Sequence, residues 1–328
     1  MTASSTIQDL FRRMLTPLWL RPERALCDAH IYHAFLDFLG GHFEPPSLEY
    51  GCADGIMSFL MLGGECSSDF DDYLDLHASR NSYREQQMLE SDYFDQPAAN
   101  FPMDAIIRQR PKNHFTVGIS WKKSHIEKAR RLNFYDQLHH LPFNEKLALL
   151  PSNSQRTIFA PNLFWMNDDE LKNSLTEMRR VCSDQGRLIT AFPNPQQKEF
   201  LFYDQFKNVS SQWADDLDRG MHLNLTRQMR WLSEWRVFLA QYGWAIKQHR
   251  EIIPALVSQV YQIGLRPMFP VFLNMYHRLR NESIDEWLDL KTHWIETALH
   301  FLRPLCDAAW LDRMNQKKLW YIFELYPE

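Results

Sequence analysis

The sequence predicts an α/β protein: a doubly wound, mostly parallel sheet with a long insertion and a helical C-terminal extension. Three observations point there. Between residues 47 and 192, short β-rich apolar runs alternate with amphipathic stretches, as βαβ units require. The first such run ends in a glycine-punctuated turn, Tyr50-Gly-Cys-Ala-Asp-Gly55, that leads into an apolar helix-like segment. Beyond Pro195 the alternation gives way to helical patterning.

Residues 22–39 are predicted to be helical. Pro22 suits a first helical position, Leu26, Ile31, Phe35 and Leu36 form an apolar stripe, and Gly40-Gly41 ends it. Leu48-Glu-Tyr50 reads as a strand, and Met57–Leu62 as a helix closed by Gly63-Gly64. Between them, Gly51 and Gly55 remove the Cβ and let backbone approach a ligand closely. The helix that follows is expected to offer unpaired N–H groups to a polar ligand. Residues 66–113 are rich in Asp, Tyr, Ser and Gln and end in the basic Arg108-Gln-Arg-Pro-Lys112. They read as a loop-rich insertion, either a lid over a pocket or decoration.

Phe115–Ile119 resumes order as a buried strand. Ser124, with Glu127 three residues on, is the expected N-cap of a helix to Leu132. Arg156–Phe159 is a further strand. Asp168–Val181 is an amphipathic helix with acids in its first turn and arginines in its last, and Gln185-Gly186 turns it into the strand Arg187–Phe192. Residues 196–250 suggest helices and a hairpin region around Trp244. Residues 251–328 are helix-rich and carry Trp287, Trp294, Trp310 and Trp320. The expected division is 1–45 (N-terminal helical segment), 46–250 (α/β domain holding the insertion) and 251–328 (helical extension).

Composition narrows the function. The chain has 328 residues, 45% hydrophobic and 23% charged, which is enough to bury one sizeable core. A net charge of −5 leaves no electrostatic footprint for nucleic acid. Eleven tryptophans imply large buried rings or an aromatic-lined pocket. The five cysteines (Cys27, Cys52, Cys66, Cys182 and Cys306) form no CxxC, and their odd count favours free thiols in a reducing compartment. With no signal-peptide pattern and no uninterrupted apolar span, a cytoplasmic location without stable membrane insertion is expected.

Four stretches in order resemble the class I S-adenosylmethionine-dependent methyltransferases of the small-molecule type. These are Leu48-Glu-Tyr-Gly-Cys-Ala-Asp-Gly55, Val117-Gly-Ile-Ser120 with Ile126–Leu132, Asn153–Trp165, and Glu177–Leu188; Trp235–Trp244 resembles the late helix of that family. The resemblance covers about residues 22–250. It implies S-adenosylmethionine as cofactor, with Glu49, Gly51, Cys52, Asp54 and Gly55 around its methionine part. Ser120 and Trp121 would lie by the ribose, and Pro161 and Asn162 would close over the sulfonium. A carboxylate normally grips the two ribose hydroxyls. Ser120 stands at that place here, and Asp75 in Tyr73-Leu-Asp-Leu76 is the alternative. Ala53 replaces the middle glycine, residues 138–144 hold no acid for the adenine side, and Gln155-Arg156 replaces a Phe-Asp pair.

His222, in Arg219-Gly-Met-His-Leu-Asn224, is the candidate base, with Tyr203 and Trp213 as candidate linings of the acceptor site. His30/His33 and His139/His140 lack a third ligand nearby, so no metal is expected. The expected function is methyl transfer to a small-molecule or biosynthetic-intermediate acceptor, with apolar and aromatic acceptors among the options. The alternatives are a catalytically degenerate binding or scaffold protein, and a cofactor-binding protein with non-methyl chemistry such as cyclisation.

Overall fold

A computed structural model describes residues 6–41, 43–71, 73, 106–142, 145–218, 220–263 and 268–328. Two helices open the described chain. α1 (Ile7–Leu15) starts on a capping box, in which Thr6 Oγ1 accepts from the Asp9 N–H and Asp9 Oδ2 from the Thr6 N–H, both at 3.1 Å. α2 (Pro22–Phe38) carries Pro22 at its first turn, as expected.

The α/β body then runs β1 (Ser47–Tyr50), α3 (Ile56–Met61), the short β2 (Glu65–Cys66) and β3 (Ile107–Gln109), β4 (Phe115–Ser120), α4 (Lys123–Leu132), β5 (Tyr135–His140), β6 (Gln155–Ala160), α5 (Asp168–Val181) and β7 (Cys182–Pro193). Four helices follow: α6 (Phe202–Phe206), α7 (Ser211–Asp218), α8 (Met221–Arg227) and α9 (Leu232–Ala240). β8 (Trp244–Pro254), α10 (Ala255–Ile263), α11 (Phe269–Glu282), α12 (Ile284–Leu302), α13 (Ala308–Arg313) and β9 (Lys318–Pro327) complete the chain.

Among the described residues the main sheet has seven strands, in the order β5-β4-β1-β6-β7-β9-β8. β5, β4, β1, β6 and β7 pair in parallel, whereas β9 is antiparallel to both of its neighbours. Strand side chains alternate between two cores, as the period of two demands. Phe159, Ile189, Ala191 and Ile322 join one core with α1, α2 and α3. Leu48, Ile158, Leu188 and Phe323 join the other with α5 and α9, where the Trp244 Nε1–H donates to Leu175 O at 3.0 Å. A third cluster of Trp19, Tyr73, Phe269, Leu273, Tyr276 and Trp287 lies outside the sheet. The buried Lys291 belongs to it, with its ammonium 5.4 Å from the Trp287 ring centroid and donating to Phe70 O.

Three expectations need correction. Helix α4 starts at Lys123 with an extended Lys122 at the cap, so Ser124 lies inside the helix and caps nothing. Trp244 opens no local hairpin: β8 pairs with β9, more than sixty residues on. The last of the four C-terminal tryptophans, Trp320, sits in that strand rather than in a helix. Its run Leu319–Leu325 is buried on both faces, and such a run lacks the alternation that separates a strand from a buried helix. Among the described residues, no helix is long and apolar enough to cross a membrane.

Candidate functional site

The chain leaves β1 toward β4 and β5, then returns on the other side as β6 and β7, so the strand order reverses between β1 and β6. In open α/β sheets, ligands bind at the carboxyl ends of strands beside such a reversal. The glycine turn follows β1 at this place. Gly51 and Gly55 have φ of +80° and +77°, and Ala53 also adopts a positive φ, +50°, at some strain. Much of the turn's hydrogen bonding is internal. The Gly51 and Cys52 N–H groups both donate to Ile119 O at 2.9 Å, and Gly55 N–H donates to Cys52 O. Asp54 Oδ1 accepts from the Ile56 N–H at 3.1 Å, which occupies the first donor of the helix expected to face a ligand.

Glu49 lies beneath the turn rather than on it. It is 2% exposed, and its carboxyl accepts from Ser58 Oγ at 2.5 Å and from the Tyr135 hydroxyl at 2.7 Å. Burial, with a smaller push from Asp54, raises its pKa to about 8 against the pull of these two hydroxyls. Two glycines make room for Tyr135: a Cβ on Gly55 would sit 2.8 Å from its hydroxyl, and one on Gly118 2.7 Å from its ring. Cys52 is buried too, and burial holds its thiol well above the usual range.

The crevice walls come from the strands flanking β1. From β6, Pro161 is buried and Asn162 Nδ2 donates to Gly51 O at 3.2 Å. From β4, Ser120 is fully buried, and its Oγ is 3.5 Å from the Lys122 N–H. Trp121 is half-buried; its carbonyl accepts from His140 Nε2 at 3.1 Å and its ring lies against Gly51. The turn and both walls therefore converge. For the ribose of the expected cofactor, however, the described ends of β4 and β5 (Ile119–Lys122 and His139–Pro142) hold no carboxylate. Asp75 lies outside the described residues.

His222 stands apart, on α8. Its Nδ1 is 2.5 Å from Asp218 Oδ2, its N–H donates to Asp218 Oδ1, and the Tyr203 ring stacks on it at 3.7 Å. Helix α8 packs on the Leu163–Trp165 turn that follows β6, and the Arg227 guanidinium donates to Trp165 O at 2.6 Å. Two expected acceptor-side residues, His222 and Tyr203, are thus brought together. Trp213 is instead exposed and packs edge-on against Phe206. Sequence reading missed Asp218, Ser58 and Tyr135; only Asp218 left a local signal, its four-residue spacing to His222. His30 is structural: it bonds Leu305 O at 2.7 Å, and burial pulls its pKa down to about 4. Among the described residues, no group of His, Cys, Asp or Glu could hold a metal.

Five parallel strands wound both ways from β1, a glycine turn at the reversal and an antiparallel β9 between β7 and β8 fix the architecture. This is a doubly wound, Rossmann-like α/β fold. No family model and no curated protein matches the chain. Solved structures similar to it include a geranyl diphosphate C-methyltransferase from Streptomyces coelicolor A3(2), at 9% identity and a TM-score of 0.41, over 90% of this chain and 75% of that one. The cyclase SpnF matches at 12% identity and 0.40, over 90% and 80% of the two chains. The PH0226 protein from Pyrococcus horikoshii OT3 matches at 9% and 0.40, over 91% and 88%.

Proposed function

We propose that the chain is an S-adenosylmethionine-dependent methyltransferase acting on a small-molecule acceptor. The observation that carries this reading is the Gly51–Gly55 turn, placed at the end of β1 beside the strand-order reversal. Gly51, Cys52, Asp54 and Gly55 would form the floor of the site, with Asn162 and Pro161 on one wall and Ser120 and Trp121 on the other. The cofactor, when bound, supplies an electrophilic methyl group on a sulfonium. The protein's tasks are then alignment, exclusion of water and, for a protic acceptor, removal of a proton. His222, held by Asp218 through Nδ1, is the proposed group for that removal.

A second reading is favoured by Ser120, which is fully buried where a ribose-gripping carboxylate is expected. On that reading the fold has lost turnover and serves as a binding or scaffold protein. Calorimetric titration of the purified chain with S-adenosylhomocysteine separates the two. Saturable binding in the micromolar range is the expected outcome. Silence at millimolar ligand overturns the methyltransferase reading and leaves the second.

A further inference from the structure

The two strands that flank β1 send side chains to the same point above it. An ideal Cβ on Gly51 would lie 2.8 Å from both Cη2 and Cζ3 of Trp121, and 3.9 Å from the Asn162 Cβ. The open side of this glycine, the feature that lets a ligand approach backbone, is therefore filled by the protein's own ring. Asn162 joins the walls through its bond to Gly51 O, so the crevice at the reversal is bridged from both sides.

We propose that Trp121 is a self-plug: its indole holds the position that a ligand takes against Gly51, and binding requires the ring to swing away. The inference rests on the cofactor reading above and concerns how that same site is controlled.

Two features make the ring displaceable. Trp121 follows the last residue of β4 and packs, partly exposed, at the margin of the second core, so rotation of its side chain leaves the strand ladder intact. Its backbone is anchored independently of the ring, by His140 on the Trp121 carbonyl and by the Leu141 N–H on Ser120 O at 3.0 Å. A ligand that must first expel the ring binds with an affinity reduced by the fraction of molecules in which the site is open. The plug thus sets a threshold that the turn and walls alone would not impose.

The test is calorimetry with S-adenosylhomocysteine on the full chain and on the variants Trp121→Ala and Trp121→Leu, with thermal melts confirming that each is folded. The expected result is about tenfold tighter binding by Trp121→Ala than by the wild type, with Trp121→Leu between them. Equal or weaker binding by the folded variants overturns the plug while the cofactor reading stands, because the ring is then a bystander or a stacking platform. If neither wild type nor any folded variant binds at millimolar ligand, the cofactor reading falls and the plug with it. Should Trp121→Ala fail to fold, Trp121→Leu keeps an apolar side chain of shorter reach and carries the same comparison.

Discussion

Glu49 and Tyr135 show how much of a motif's chemistry lies outside the motif. The acid ends the predicted strand, yet its carboxyl is spent on Ser58 and Tyr135 below the turn. Its folded pKa of about 8 stands above the ordinary 4.5, so between these values the folded chain holds a proton that the unfolded chain releases. Its contribution to stability is therefore full below pH 4.5 and is lost as pH rises through 8. Lys291 acts in the opposite sense above pH 8, since burial pulls its ammonium down to about 8 from 10.5 and stability from that group rises with pH there. His30, pulled down to about 4 from 6.5, also acts in the opposite sense between those values, so the clean window is pH 6.5–8. Across it, the wild-type melting temperature is expected to fall and that of Glu49→Gln to change by less than half as much; equal slopes in scanning calorimetry would remove the buried acid as the cause. The turn's glycines and Glu49 were legible from residue types alone. The partners were not, because Tyr135 reaches Glu49 across β4, a register that no local pattern encodes.

Among elements, β9 carries the most unusual burden. It is a ten-residue strand with both edges paired, antiparallel to β7 and to β8. Ile322 is fully buried and faces Ala191 and Arg250 across the two ladders. A proline there removes an N–H from a central strand and clashes with the pleat, so Ile322→Pro is expected to cost about 3 kcal/mol or more. Urea denaturation measures this directly, and a loss below about 1 kcal/mol would contradict the central placement. The helices α2 and α5 were legible because each has both a stripe and a recognisable start, Pro22 in one and the first-turn acids Asp168, Asp169 and Glu170 in the other. β5 and β9 were not. Tyr135–His140 is mostly polar with an exposed face, whereas Leu319–Phe323 is apolar throughout, and neither alternates cleanly.

At the scale of the whole molecule, the sheet is covered on both faces by separate cores, and a third aromatic cluster ties Trp19 near the N-terminus to α11 and α12. That integration needs no cross-links. All five cysteines are free, four are buried, and burial raises the thiol pKa of each of the five. Reducing agent is accordingly expected to leave the melting temperature unchanged, and a thiol-specific chromophore to label the native chain slowly and the unfolded chain fully. Rapid labelling of several thiols in the native state would show that the cores open more readily than their burial implies. The alternation of strands and helices made the fold class readable across β4, β1, β6 and β7 of the sheet's parallel half. The candidate site was readable only as a place: which wall meets Gly51 is decided by tertiary packing of Trp121.

The position of β9 has a consequence for biosynthesis. Residues 318–327 separate β7 from β8 in space, yet both of those strands are made first. Until β9 emerges from the ribosome, β7 presents an unpaired edge and β8 has no sheet to join, a state open to wrong pairing with other chains. The parallel half can assemble during synthesis, but closure of the sheet waits for one late segment. A nascent chain stalled before that segment should be a preferred client for chaperones that bind exposed strands.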